Sequence, residues 1–233
     1  MTRLGGRLRT TPSRSYGWSI RKSRLVVTIS QHAARAVAER YELPEERVRP
    51  IHLGLDHAVF TPADVERKRF LVYPARAWPH KNHERLFSAF ARLRERHPDL
   101  ELVLTAYDGH VPPGVRSLGH VRREELVRLY RTAAGLVFPS LYEGFGQPPL
   151  EAMACGCPVA SSNAAALPEV CGDAARLFDP TSVEEIVAAV EEILARPAEW
   201  SARGIARAAH FSWEETARAH DAAYAAVAHG TTH

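Results

Sequence analysis

What most limits the fold of this chain is an alternation that starts near residue 24 and runs almost to its end. Short apolar runs take turns with longer stretches of helical spacing. Residues 24–29, 48–53, 69–73, 100–104, 115–121, 136–138, 158–161 and 175–178 read as strands. Helices are expected at 31–41, where Ser30 supplies the cap, and at 83–96, 123–133, 183–194, 197–209 and 213–228. Strands and helices alternating at this spacing predict an α/β chain, a mostly parallel sheet with helices on both faces. Such sheets bind ligands outside the carboxyl ends of their strands. The loops that follow strands are therefore where chemistry is to be sought.

One of those loops is Glu143-Gly144-Phe145-Gly146-Gln147-Pro148-Pro149-Leu150-Glu151, two carboxylates on either side of two glycines and a Pro-Pro pair. Proline is favoured in the first helical turn, where an amide would have no intrahelical partner. A helix should therefore start near Pro148 and run through Ala154. Upstream, Gly135 to Pro139 reads as a buried strand. Strand, glycine loop and helix N-terminus together offer an anion free amides and the positive end of a helix dipole. Glu143 and Glu151 flank that place and can accept hydrogen bonds from hydroxyls of whatever carries the anion. A phosphate between hydroxyl-bearing rings describes a nucleotide sugar. A second loop, Tyr73 to Asn82, also follows a strand and carries Arg76 and Lys81. Two cations there would bind a diphosphate and stabilise the charge that builds on it as it leaves.

These segments resemble the Glu-x7-Glu motif and the Gly-Arg…Lys-Asn segment of the retaining GT-B glycosyltransferases, in particular family 4 (glycosyltransferase group 1, which includes mannosyltransferases). The resemblance implies that Glu143 contacts the donor sugar as the catalytic carboxylate and that Glu151 holds the ribose. Arg76 and Lys81 would grip the diphosphate, and the amides of Gly144, Phe145 and Gly146 would meet the sugar or diphosphate. Ala75 stands where a glycine is usual, and Ala106-Tyr107-Asp108-Gly109 replaces a Gly-rich turn. Leu118-Gly119-His120-Val121 resembles the strand and loop near the nucleobase.

By the same resemblance the fold is a Rossmann-like parallel sheet forming the C-terminal half of a GT-B fold. Residues 63–233 would be the nucleotide-sugar donor-binding domain. Residues 24–62 would be the last part of an N-terminal domain with its connector, and the basic segment 1–23 is expected to pack loosely. The activity implied is transfer of a hexose from a nucleoside-diphosphate sugar, with retention, to an unidentified saccharide or lipid-linked acceptor. The acceptor domain is expected to be missing. The chain is thus read as the donor half of a transferase. The alternatives are one subunit of a split enzyme, whose partner chain supplies that domain, and a non-catalytic nucleotide-sugar-binding module. GT-B-like epimerases use the same donors, but their acids and bases do not map onto these residues.

Composition narrows the partners. The net charge of +3 is spread along the chain apart from its first residues, so no nucleic-acid surface is expected. The three cysteines, Cys155, Cys157 and Cys171, lack zinc-site spacing. No cofactor and no metal are expected, because two cations and a helix N-terminus serve the diphosphate and no Asp-x-Asp occurs. The odd cysteine count and the absence of a secretory signal imply a cytoplasmic protein. No apolar run is long enough to span a bilayer, and association with the inner face of a membrane stays open. Glu169 and His80 are expected to be structural or solvated, and Trp200 and Trp213 to anchor the core or an interface.

Overall fold

The computed structural model describes residues 14–228. After α1 (Arg14–Lys22), β1 (Val26–Thr28) and β2 (Val48–Pro50) form a two-stranded parallel sheet joined through α2 (Gln31–Tyr41). The remaining strands are β3 (Lys68–Pro74), β4 (Glu101–Thr105), β5 (Val115–Ser117), β6 (Ala133–Phe138), β7 (Val159–Ser162) and β8 (Arg176–Phe178). They make one parallel sheet in the order β5-β4-β3-β6-β7-β8. The direction of winding reverses between β3 and β6, so the crevice of this Rossmann-like sheet opens beyond the carboxyl ends of those two strands.

Burial explains the elements. Leu71, Val72 and Tyr73 on β3, Leu102 to Leu104 on β4 and Leu136 to Phe138 on β6 are fully enclosed. Uniformly apolar central strands are what a parallel sheet covered on both faces requires. Each such side chain contributes roughly 1.5–3 kcal/mol. At the edge, β5 keeps only Val115 buried and exposes Arg116 and Ser117, a charge that discourages pairing with another chain. On the flanks, α3 (His83–Arg96) buries Leu86, Phe90 and Leu93 and packs on α7 (Val183–Ala195). A second group comprises α4 (Arg123–Thr132), α5 (Gln147–Ala154) and α8 (Pro197–Ala208). The last helix, α9 (Trp213–Ala228), returns to the connector: Thr216 Oγ1 donates to the His52 carbonyl at 2.8 Å.

The expected elements are present, and the differences have local causes. The strand anticipated at 115–121 stops at Ser117, because Gly119 turns left-handed at φ 63°. The extended run at 48–53 ends at Pro50. Residues 14–22, in the segment expected to pack loosely, form α1. Tertiary contacts hold its end, Arg47 donating to the carbonyls of Arg21 and Ser23 and Arg21 lying over the Tyr41 ring. Residues 1–13 lie outside the described residues. A short helix, α6 (Leu167–Cys171), carries Glu169. Trp200 is buried as expected, but Trp213 is half exposed. Among the described residues no helix is long and apolar enough to cross a membrane.

Candidate functional site

Two loops meet at the crevice, one after β3 and one after β6. The first turns through a 3-10 segment, Pro79–Lys81, into Asn82, which adopts φ 62° and opens α3. Asn82 is buried, and its side-chain amide donates to the carbonyls of Pro139 at 3.0 Å and Pro180 at 2.8 Å. Tyr73 donates to the Lys81 carbonyl at 2.7 Å, and the Leu141 amide donates to the His80 carbonyl at 2.8 Å. The two loops are therefore tied backbone to backbone, and neither can shift without the other. Burial raises the Tyr73 phenol far above its ordinary range, so it stays a donor at any physiological pH.

That tie brings Lys81 to Glu143. Lys81 Nζ lies 2.6 Å from Glu143 Oε1, with side chains only 14% and 15% exposed. The ammonium also lies 5.5 Å from the centre of the Phe138 ring. A charge pair this enclosed is screened far less than a surface pair. Arg76 is placed differently. It is exposed, lies over Trp78 at 5.7 Å, and borders an adjoining cleft of about 530 Å³ with Tyr107, Asp108, Gly119 and His120. The two expected diphosphate cations thus sit in unlike settings, one in the crevice and one at its rim. His80, read as a bystander, stacks near Trp78.

The glycine loop presents its backbone one-sidedly. The carbonyl of Glu143 accepts from the Ala166 amide at 3.4 Å, and that of Gly144 accepts from the Ser30 hydroxyl at 2.7 Å. Among the described residues the amides of Gly144, Phe145 and Gly146 donate to no protein acceptor. Gly146 is the N-cap of α5 at φ 123°, and a Cβ there would meet Leu167 at 2.8 Å. Only glycine fits this turn. The helix N-terminus and its free amides are therefore available to an anion.

Glu151 lies one turn into α5, in a drier place. Its Oε2 accepts from the Tyr130 hydroxyl at 3.2 Å. Burial pushes the carboxyl from its ordinary value of 4.5 up to about 7, against the opposing hydrogen bond from Tyr130 and the charge of Arg123. Tyr130 is wholly buried and its phenol is raised well above 10 by burial and by Glu151. The thiols of Cys155, Cys157 and Cys171 are free and buried, and burial pushes each up to about 12, so none is a nucleophile. His83 is lowered to about 4 by burial, so it is neutral at physiological pH, and its Nε2 is enclosed without a partner among the described residues.

Several of these groups lie outside the sequence reading. Tyr130 looks like any apolar-face residue of α4, Ser30 like a helix cap, and Asn82 like a loop residue. Glu169, expected to be structural or solvated, is structural. It accepts from the amides of Gln31 at 2.8 Å and His32 at 3.3 Å and pairs with His52 at 2.6 Å. Burial opposes its ionisation, but these hydrogen bonds outweigh burial and hold it below the ordinary carboxyl value.

Comparison with known proteins shows the family and the fold. The profile of the family described as "Glycosyl transferases group 1" matches residues 59–210. O-antigen chain mannosyltransferase B of Escherichia coli is 34% identical over 228 residues, covering 84% of this chain and 59% of the relative. The MMP alpha-(1->4)-mannosyltransferase of Mycolicibacterium hassiacum is 34% identical over 212 residues, covering 82% and 51%. This chain therefore spans little more than half the length of these two relatives. Among solved structures, Anabaena HepE in complex with UDP and glucose superposes with a TM-score of 0.79 at 18% identity, over 91% of this chain and 66% of that one.

Proposed function

The chain belongs to the group 1 glycosyl transferases, and from that premise we propose that residues 63–233 are a domain that binds a nucleoside-diphosphate hexose in the crevice between β3 and β6. The whole protein would then be a family 4 retaining transferase, and these residues the C-terminal, donor-binding half of its GT-B fold. A mannosyl group is the favoured cargo, because both relatives compared by sequence are mannosyltransferases by name. The HepE complex supports a nucleotide sugar as the donor class.

One observation carries the reading. A mostly buried cation, its carboxylate partner and a run of free amides at a helix N-terminus converge where the sheet reverses direction. Transfer breaks the bond between the anomeric carbon and the diphosphate, and negative charge grows on the departing oxygen. In this proposal Lys81 and the amides of Gly144, Phe145 and Gly146 stabilise that charge through donors fixed before the reaction begins. Glu143, the catalytic carboxylate, turns toward the sugar as Lys81 engages the phosphate. Glu151 accepts from the ribose hydroxyls. The 530 Å³ cleft bordered by Arg76 and Gly119 takes the base, with Arg76 reaching from its rim toward the diphosphate. The acceptor is held by parts of the whole protein other than these residues.

Calorimetric titration with UDP, GDP and ADP, repeated on Glu151→Ala, tests the proposal. Binding of one nucleotide by the parent, weakened about tenfold or more in the variant, is expected. A folded parent that binds none of the three rules out the donor site.

A further inference from the structure

The described carbonyl contacts of the glycine loop fix more than carbonyls. In a trans peptide the C=O of one residue and the N–H of the next share a plane and point opposite ways. The Ser30 hydroxyl holds the Gly144 carbonyl at 2.7 Å, which sets the direction of the Phe145 amide. Ser30 is fully buried, and the same oxygen accepts from the Ala33 amide at 3.0 Å as the cap of α2. Its position is set in turn by Glu169, which accepts from the first two amides of that helix, those of Gln31 and His32, and by His52, which pairs with Glu169 and lies 5.7 Å from the Phe145 ring. The loop is thus gripped on its backbone at Gly144 and touched on its side chain at Phe145. Both contacts come from residues 30–52, outside the six-stranded sheet.

We infer that Ser30 is a positioning residue for anion binding: through the Gly144 carbonyl it aims the Phe145 amide into the crevice. Any helix cap would satisfy the α2 amides. A hydroxyl can also donate to the loop from the same atom, whereas a carboxylate at position 30 would face the Gly144 carbonyl as acceptor against acceptor. The inference rests on the donor reading for its ligand but not for its geometry.

The test compares Ser30→Ala, Ser30→Thr and Ser182→Ala. Ser182 caps α7 by the same bond to an amide, from Glu185, yet does not reach the loop. Two quantities are measured: the affinity for whichever of UDP, GDP and ADP binds the parent, and the ¹⁵N order parameters of the Gly144 and Phe145 amides. Ser30→Ala is expected to weaken nucleotide binding about fivefold, the worth of one hydrogen bond. It should also drop both order parameters from the rigid range, about 0.85, toward about 0.6. Ser30→Thr should restore both readouts, and Ser182→Ala should leave both at parent values. Order parameters that stay rigid in Ser30→Ala, or that fall equally in Ser182→Ala, overturn the inference. Should the parent bind no nucleotide, the donor reading fails alone, and the order parameters still decide the role of Ser30.

Discussion

Glu143 and Glu151 belong to one loop-and-helix segment, and the structure treats them in opposite ways. Glu143 has an ammonium at 2.6 Å as an explicit partner. Glu151 accepts from a phenol at 3.2 Å, and burial lifts it to about 7. The first carboxylate is stabilised where it stands; the second is held at a cost to the fold. A residue retained in a place that destabilises it is a signature of function more than of architecture. The contrast also separates two tasks. A paired carboxylate can change partners when a cation is drawn to a phosphate, whereas an enclosed one offers a fixed acceptor in a dry pocket.

The sharpest way to break the comparison is Lys81→Ala. It would strand Glu143 as a mostly buried, unpaired charge and cost about 3 kcal/mol of stability. It would also weaken nucleoside-diphosphate binding about a hundredfold. Urea unfolding and calorimetry read the two effects, and unchanged affinity would remove Lys81 from the diphosphate site. Glu151→Gln should act with the opposite sign on the fold. A folded-state value raised from 4.5 to about 7 means that the folded chain holds its proton more tightly than the unfolded chain. Stability from this group is therefore full below about 4.5 and lost as pH rises to about 7, up to roughly 3 kcal/mol. The variant has no such loss. It should unfold at higher urea than the parent at pH 8 and at similar urea near pH 4.5, while binding nucleotide more weakly. A variant less stable than the parent at both pH values would mean that Glu151 is not strained. The smallest effect is expected of Tyr130→Phe, which removes the hydroxyl that donates to Glu151. It should cost about 1 kcal/mol and move the pH at which Glu151 titrates further upward, as ¹³C-detected titration of the carboxyl would record.

The same contrast shows what sequence can carry. The helix from Gln147 to Ala154 was legible because Pro148, Pro149 and the preceding glycines act on their own backbone. α3 runs from His83 to Arg96 as its apolar spacing predicts, and Ser30 caps α2 as its residue type predicts. The reading that Glu143 and Glu151 flank an anion-binding turn was available too, since strand, loop and helix follow one another in the chain. The contrast between the two carboxylates was not available. The ion pair with Lys81 joins loops after two different strands. The phenol of Tyr130 comes from α4, and no local pattern marks one apolar-face tyrosine as the partner of a carboxylate on α5. α1 and α6 were hidden for a related reason: long-range contacts hold the first, and the second is too short for any period to register.

By itself, then, the amino-acid order determined the alternation of strands and helices, the parallel sheet, and the two loops at the carboxyl ends of β3 and β6. Those follow from propensity, caps and burial periodicity, which act over a few residues. Only the tertiary structure decided which carboxylate received a cation, which was left dry, and that a helix cap near the start of the chain would hold the loop at Gly144. Those outcomes depend on distance and dielectric between groups far apart in the chain, and charge and solvation are settled only when the packing is complete.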